Sequence, residues 1–200
     1  MAGASRYELL PGLLLGFHGT DEETAEKVLS GKAQLKASQN KYDWLGHGVY
    51  FWEYSPERAL EFAQQSLKDP KVTRGKIVQP AVIGAVIDPG LCLNLLESSA
   101  LRLLSEAFTT LKIEHDLAGL AMPENKGGED LRARHLDCAV IQTLHSLRTI
   151  DPPAPPYDTV RGAFWEGEPL YPNAGFKQKN HVQICVRNTS CIKGYFRVLE

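Results

Sequence analysis

Two short, glycine-flanked segments constrain the fold of this 200-residue chain more than any other feature. Residues 16–20 (GFHGT) and 46–51 (GHGVYF) each predict a brief apolar strand bounded by glycine. In the first, His18 precedes Gly19, whose bare backbone permits a close approach to a ligand. In the second, Tyr50 follows two glycines and offers an aromatic face to a flat heterocycle. Together the two segments indicate strands that grip a nucleotide.

The composition indicates one soluble domain. With 43% hydrophobic residues, the chain is long enough for a single well-packed core. The formal net charge of −2 excludes a global positive field that would attract nucleic acid or acidic membranes, although a local basic face stays open. The cysteines have no C-x-x-C spacing, which predicts reduced, buried thiols in a cytoplasmic protein. The apolar run at residues 9–15 is too short to span a membrane, so no membrane partner is expected.

Local signals along the chain predict an α+β architecture. Residues 20–23 (TDEE) form a capping box, with Thr20 as the N-cap of a helix that reaches Ser30. Ser55 and Pro56 begin a second helix. Apolar patterns predict strands at residues 9–18, 48–52, 77–78, 81–87, 91–95, 159–165, 182–186 and 192–198. Two further helices are predicted at 97–117 and 130–147, with a mobile loop at 123–128 and a stiff proline segment at 151–156.

These elements predict a single domain over residues 1–200. A sheet forms its core, helices flank the sheet, and a helical insertion occupies about residues 97–150. The proline segment is followed by too little chain for an independent core, so we interpret it as an internal connector.

The glycine-flanked segments resemble motifs of the ADP-ribosyltransferase superfamily, in the branch shared by diphtheria-like toxins and poly(ADP-ribose) polymerases. His18-Gly19-Thr20 matches the His-Gly-Ser/Thr of that branch's first core strand. Residues 46–51 match the Gly-x-Gly-x-Tyr-Phe of its next strand, and residues 83–90 resemble the strand and turn that follow. The resemblance covers the core strands and implies a split β-sheet fold. The insertion has no counterpart in the family.

The resemblance implies NAD as the ADP-ribose donor and gives roles to the matching positions. Backbone groups of Gly19 would clamp the nicotinamide carboxamide, Tyr50 would stack on its ring, and His18 would hydrogen-bond a ribose. Phe62, on the following helix, would supply the other aromatic wall. The implied NAD-binding residues are His18, Gly19, Thr20, Gly48, Tyr50 and Phe62. No metal is implied.

Gln183 is the main departure from the family pattern, because a glutamate usually occupies this place. A glutamine can orient a ribose hydroxyl, but it is neither a base nor a negative charge beside a developing oxocarbenium ion. Glu166, Glu168 or Glu53 could supply the carboxylate instead, and Glu166 is preferred because it follows an apolar strand. Alternatively, the acceptor is already a good nucleophile, such as a nucleobase nitrogen, or the chain binds NAD without turnover. Polymer elongation is not expected without the glutamate.

Other residue groups give weaker signals. The histidines besides His18 invite a metal interpretation, but no H-E-x-x-H motif occurs, and His135 with Cys138 gives only two ligands on one helix face. Cys92 and Cys185 lie in apolar strand patterns, which favours inert core thiols. Several basic residues form either one basic face or dispersed surface charge: Arg132, Arg134, Arg148, Arg161, Lys177 and Lys179.

The leading hypothesis is a mono-ADP-ribosyltransferase that modifies a macromolecule. RNA or DNA is preferred to protein as the acceptor, because a site poor in bases suits a nucleobase nucleophile. Small enzymes of this kind resemble toxins of bacterial toxin–antitoxin or phage-defence systems, which implies an antitoxin partner. The expected catalytic residues are His18, Tyr50, Gln183 and Glu166. The alternatives are an NAD glycohydrolase and a non-catalytic module that binds NAD or ADP-ribose.

Overall fold

The computed structural model describes residues 12–69, 77–150 and 153–199. The strands in these ranges are β1 (Leu14–Asp21), β2 (Val49–Glu53), β3 (Pro80–Ile87), β4 (Cys92–Asn94), β5 (Asn125–Lys126), β6 (Ala133–Arg134), β7 (Thr159–Phe164), β8 (His181–Val186) and β9 (Ile192–Arg197). The helices are α1 (Glu22–Leu29), α2 (Pro56–Lys68), α3 (Ser98–Ala118) and α4 (His135–Leu147). The predicted α+β class is confirmed.

One seven-stranded sheet organises the molecule, in the order β4-β7-β8-β2-β1-β3-β9. Its neighbours pair antiparallel, except β4 and β7, which run parallel. Parallel neighbours need a crossover connection, and α3 and α4 lie in the chain between β4 and β7. The predicted insertion is therefore the crossover of this sheet.

Helix α1 begins at a different residue from the one that its capping signal predicts. Thr20 and Asp21 extend β1 and pair with the first residues of β3. Asp21 is the N-cap, and its carboxylate accepts a hydrogen bond from the Glu23 amide at 3.1 Å. The prediction of Thr20 as the N-cap is wrong, because strand pairing continues through Thr20 and leaves the cap to the next residue.

Residues 77–78 form no strand, although the sequence predicts one there. The Val78 and Gln79 amides instead donate hydrogen bonds to the Asp21 carboxylate at 2.7 and 2.9 Å. These bonds, from Gln79 first and Val78 second, lower the pKa of Asp21 below its usual value. Amides that bond to a carboxylate are not available to a neighbouring strand, so β3 begins only at Pro80.

Helix α2 lies closely against β1 because small residues meet at the contact. The helix begins at Pro56, as predicted, and buries Ala59 and Ala63. A Cβ on Gly19 would lie 2.0 Å from the Ala59 carbonyl oxygen. Helix packing alone therefore requires a glycine at position 19.

The insertion shares its hydrophobic core with the sheet. Buried side chains of α3 and α4 pack with residues of β4, β7, β8 and the loop before β2: Ala100, Ala107, Leu111, Val140, Ile141, Leu144, Leu93, Val160, Cys185 and Leu45. Helix α4 begins at His135, later than predicted, because β5 and β6 pair Asn125 with Arg134 in a small ribbon. This ribbon occupies part of the predicted mobile loop. Helix α1 packs on the opposite sheet face.

Most other predicted boundaries fall close to the observed ones. The predicted strands at 159–165, 182–186 and 192–198 correspond to β7, β8 and β9, and the one at 91–95 corresponds to the shorter β4. Residues 9–11 of the predicted first strand and residues 151–152 of the proline segment lie outside the described residues. No helix within the described ranges is long and apolar enough to cross a membrane.

Candidate functional site

The pairing between β1 and β2 ends early, beside the two glycine-flanked segments, and we call the place where it ends the opening between β1 and β2. The last paired residues are Phe17 and Trp52. The Leu15 carbonyl accepts a hydrogen bond from the Tyr54 amide at 2.9 Å, so Leu15 faces the β2 side. Alternation along an antiparallel strand turns the N–H and C=O of Gly19 to that same side. Gly19 therefore presents an amide edge to the opening.

The His18 side chain reaches across to β2. Its Nδ1 lies 2.7 Å from the Tyr50 carbonyl oxygen. Because a carbonyl only accepts, Nδ1 carries the proton and Nε2 is left as an acceptor. Burial lowers the pKa of His18 below its usual 6.5, and the hydrogen bond to Tyr50 opposes this shift. The imidazole is therefore neutral at physiological pH and suits a hydroxyl donor such as a ribose.

The Tyr50 hydroxyl is used by the protein itself. It accepts a hydrogen bond from the Leu45 amide at 2.8 Å and donates one to the Gly46 carbonyl at 2.6 Å. Burial raises the pKa of Tyr50 well above its usual 10, so the phenol stays protonated. Tyr50 can offer a ring face, but it is neither a base nor a ready proton donor.

Two other residues of the implied NAD-binding set are packed into the fold. A Cβ on Gly48 would lie 2.5 Å from Cys185 Sγ, so packing against β8 requires a glycine there without any ligand. Thr20 is 9% exposed. Thr20 follows His18 by two residues in β1, so the two side chains lie on the same sheet face.

Gln183 lies in the middle of the sheet, and its side-chain amide has no hydrogen-bond partner within the described ranges. It pairs with Trp52 on one side and Gly162 on the other, and it is 8% exposed. The neighbouring Trp52 holds a buried indole Nε1 that also has no partner among the described residues. A buried donor without a partner costs about 1–3 kcal/mol. The adjacency of these groups indicates a place for a polar ligand.

Glu166 lies among charged groups where β7 ends and β8 begins. Its Oε2 is 3.4 Å from Arg58 Nη2 and 3.7 Å from His181 Nδ1. Burial raises the pKa of Glu166 above its usual 4.5, while Arg58 opposes the shift. Burial also lowers the pKa of His181 to about 4, so the ring is neutral and forms no ion pair with Glu166 at neutral pH. His181 Nδ1 donates to the Lys179 carbonyl at 2.8 Å.

The other two carboxylates considered from the sequence are differently placed. Glu53 faces the opposite side of the sheet from Trp52, its neighbour in β2. There Arg161 donates to both Glu53 oxygens, from Nε at 2.6 Å and Nη2 at 2.9 Å. This two-point pair connects β2 to β7 across β8 and occupies the carboxylate. Glu168 is exposed on the loop after β7.

The aromatic wall includes a residue that the sequence did not single out. Phe62 of α2 packs on Trp52, with ring centroids 5.0 Å apart. Trp52 follows Tyr50 by two residues, so both side chains lie on the Gln183 face. Trp52 therefore lies between the two aromatic residues that the resemblance implies.

The structure brings together part of the predicted site. Tyr50 and Gln183 lie on one sheet face, together with Trp52 and His181. Phe62 packs on Trp52 and Glu166 lies near His181, so both belong to the same side. His18 contacts Phe51 on the other face, with ring centroids 5.7 Å apart. The two sets meet where the β1–β2 pairing ends.

Sequence reasoning missed three members of this site: Trp52, Arg58 and His181. For two of them a signal was available, because Trp52 follows Tyr50 by two residues and His181 precedes Gln183 by two. No local signal exists for Arg58, since 108 residues separate it from Glu166.

The described part of the chain contains no assembled metal site and no reactive cysteine. There, no group of three or more His, Cys, Asp or Glu residues is arranged to hold a metal ion. The cysteines Cys92, Cys138, Cys185 and Cys191 are free and buried. Burial raises the pKa of each thiol, to about 11 for Cys138 and Cys191. Thiols that resist ionisation are poor nucleophiles.

The basic residues that the sequence singled out are only partly clustered. Arg161 binds Glu53 inside the sheet layer. Arg134 lies over the Trp44 ring and Arg148 over the Tyr157 ring, at 4.2 and 4.1 Å from the centroids. Arg132 and Lys177 both contact the Asp130 carboxylate. Burial raises the pKa of Glu166, and the charges of Lys179 and Arg132 oppose this shift. These cations therefore lie around the Glu166 region, whereas Arg148 and Arg161 lie elsewhere.

Two surface cavities lie away from His18 and Tyr50. One, of about 430 Å³, separates α2 from the loop before β8 and is lined by Glu61, Gln64, Gln65, Lys68, Gln178 and Lys179. The other, of about 220 Å³, lies between α3 and α4 and is mostly apolar. The first adjoins the Glu166 region, since the Lys179 amide donates to the Glu166 carbonyl at 3.0 Å.

Comparison with known proteins gives a short match. No protein-family model matches the chain, and no solved structure matches it. Over 37 residues the chain is 46% identical to an uncharacterized protein of Methanocaldococcus jannaschii. That match spans 18% of this chain and 17% of the length of the archaeal protein.

Proposed function

We propose that this chain binds NAD at the opening between β1 and β2 and transfers ADP-ribose to a macromolecule. The observation that carries the proposal is the geometry of this opening. The Gly19 amide edge lies on one side, and Tyr50, whose carbonyl accepts from His18, lies on the other. A carboxamide needs one donor and one acceptor side by side, and the N–H and C=O of one glycine supply both. The short β1–β2 ladder also supports the split-sheet fold of the ADP-ribosyltransferases.

The proposed reaction is a displacement at C1′ of the nicotinamide ribose. The bond from C1′ to the pyridinium nitrogen breaks, and its electron pair leaves with neutral nicotinamide. A nitrogen or oxygen of the acceptor forms the new bond to C1′. The proton of that nucleophile passes to Glu166 or to water. Holding both reactants in line and stabilising the cationic transition state are the main tasks of the protein.

Gln183 and Glu166 would divide the work that one glutamate performs in the family. The Gln183 amide, which lacks a partner among the described residues, is suited to orient a ribose hydroxyl. Glu166 is suited to accept a proton, because burial raises its pKa while Arg58 keeps the ionised form accessible. Tyr50, Trp52 and Phe62 would line the ring-binding side.

Label transfer from NAD tests the proposal. Purified protein is incubated with adenylate-labelled NAD and a cell lysate, and the products are divided into nuclease-treated and protease-treated halves. His18→Ala removes the hydroxyl acceptor and should abolish transfer, with circular dichroism confirming the fold. Tyr50→Ala should do the same, whereas Tyr50→Phe keeps the ring and should retain transfer. Full transfer by His18→Ala would contradict the assignment of His18 to the NAD site.

Two observations favour a second candidate, a module that binds NAD without turnover. No carboxylate occupies position 183, and Arg58 holds Glu166. Calorimetric NAD binding with no nicotinamide release over hours would select this candidate. An NAD glycohydrolase would instead release free ADP-ribose and leave macromolecules unlabelled. A role as a toxin or phage-defence effector with an antitoxin partner in the cytoplasm stays a prediction.

A further inference from the structure

We infer that the 430 Å³ cleft beside α2 is the acceptor site and takes an unpaired segment of nucleic acid. Its role as acceptor site rests on the proposed function. Its capacity to bind a nucleic acid does not, because that binding requires no NAD. The inference depends on three features: the position of the cleft, the chemistry of its lining and the exposed side chains of the adjoining hairpin.

Both walls of the cleft are linked to the charged groups around Glu166. One wall is α2, in which Arg58 forms ion pairs with both Glu61 of the cleft and Glu166. The other wall is the hairpin of residues 166–179, whose two arms are joined by backbone hydrogen bonds, including Lys179 N to Glu166 O at 3.0 Å. The cleft therefore adjoins the residue that would accept the proton of the nucleophile, although Glu166 itself does not line it.

The lining of the cleft suits nucleotides. Gln64, Gln65 and Gln178 contribute amides, which donate and accept like the edges of nucleobases. Lys68 and Lys179 contribute cations for phosphate groups. Amide side chains reach the pairing edge of a base only when that base is unpaired. The lining therefore favours a single strand over a duplex.

The hairpin 166–179 and the residue before it expose several large side chains. Trp165, Leu170, Tyr171 and Phe176 are 56%, 57%, 57% and 60% exposed. The Leu170 amide bonds to the Phe176 carbonyl at 3.1 Å, so these two residues lie opposite each other. These side chains do not line the cleft itself, but they belong to, or directly precede, the hairpin that forms one of its walls. Exposed aromatic rings combined with cations are the usual means of binding unpaired bases without sequence preference. The chain as a whole carries a net charge of −2, so this local arrangement must supply the attraction.

Binding of fluorescein-labelled oligonucleotides tests the inference in the absence of NAD. Single-stranded RNA and DNA of about 12 nucleotides are compared with the matching duplexes by fluorescence anisotropy over a range of salt concentrations. The wild-type chain should prefer single strands. Lys68→Ala/Lys179→Ala should weaken binding about tenfold and reduce the slope of log Kd against log salt by about 1.4, for two lost phosphate contacts. The matched control is Lys32→Ala/Lys36→Ala, which removes two exposed lysines elsewhere.

Aromatic variants provide a second, independent readout. Tyr171→Ala and Phe176→Ala should each weaken single-strand binding about tenfold, whereas Leu117→Ala, which removes an 85% exposed side chain of α3, should not. Equal affinity for single strands and duplexes would overturn the inference. So would a lysine variant that matches its control, or label that enters protein alone. Nicotinamide release without oligonucleotide binding would refute this inference alone, and oligonucleotide binding without NAD binding would refute the proposed function alone.

Discussion

Two arginine–glutamate pairs lie on opposite faces of one sheet and differ in how well they are satisfied. Arg161 donates twice to Glu53, at 2.6 and 2.9 Å. Arg58 makes one longer contact to Glu166, at 3.4 Å. The difference is not one of burial, because the side chains are 15% and 9% exposed in the first pair and 13% and 17% in the second.

The surroundings of the two pairs explain the difference. The hydrogen bonds that Arg161 donates to Glu53 raise the pKa of Arg161, so that pair is locked in its ionised form. Around Glu166, Arg58 Nε and His181 Nε2 are buried with no partner in the described part of the chain. A satisfied pair stabilises the fold, whereas a pair surrounded by unsatisfied groups is suited to meet a ligand. Stability should therefore depend on the first pair, and activity on the second.

Loss of Arg161 should destabilise the protein most. Arg161→Leu leaves the nearly buried Glu53 carboxylate without its main partner, and breaking such a pair costs about 3–5 kcal/mol. Urea unfolding measures this loss. The matched control is Arg197→Leu, whose partner Glu26 is 49% exposed and which should lose under about 1 kcal/mol. Equal losses in the two variants would remove the distinction between the two faces of the sheet.

Acid should destabilise the fold through His181, which lies beside Glu166 of the second pair. Its pKa is about 4 in the folded protein, against 6.5 in an unfolded chain. Below pH 6.5 the unfolded state binds more protons, so stability is present above 6.5 and is lost as the pH falls towards 4, by on the order of 3 kcal/mol. Burial lowers the pKa of His145 to about 3, which adds to the loss. Unfolding free energies of His181→Gln should fall less steeply with acid; parallel curves would contradict the buried neutral ring.

The elements of this fold were predictable because their signals are local. Pro56 after Ser55 begins α2, and period-two patterns give β7, β8 and β9 close to their observed ends. The cap of α1 was mispredicted, because Thr20 and Asp21 carry similar capping signals and only pairing with β3 decides between them. Local propensity does not contain that information.

The site was predictable only where it depends on neighbouring residues. His18 and Tyr50 were found from their motifs, but the neutral state of His18 and the bonded hydroxyl of Tyr50 depend on tertiary contacts. The two ion pairs each join residues 108 apart in the chain. The Arg161–Glu53 pair forms because β8 lies between β2 and β7, an arrangement that requires the whole crossover. The Arg58–Glu166 pair joins α2 to the loop after β7.

Glu166→Gln should lower activity while leaving stability unchanged or slightly higher. Burial disfavours the carboxylate in the folded state, so a neutral amide of the same shape removes that penalty. Loss of the proton acceptor should slow label transfer at least tenfold, about 1.4 kcal/mol in activation free energy. Glu168→Gln, an exposed neighbour, is the matched control and should remain close to wild type. Near-normal rates in both variants would move the catalytic carboxylate elsewhere.

Gln183→Met should change stability little, by under about 1 kcal/mol, because it replaces the amide by a side chain of similar volume. The Gln183 amide has no partner in the described residues, so its removal breaks no hydrogen bond within them. Under the proposed function, nicotinamide release should nevertheless fall, whereas Gln183→Glu keeps an acceptor oxygen, adds a negative charge and should retain release. A loss above about 2 kcal/mol in Gln183→Met, measured by urea unfolding, would mean that the fold itself uses the amide. The polar groups on the Gln183 face would then be hydrogen-bonded, like Arg161 and Glu53 on the other face. They would no longer indicate a ligand site.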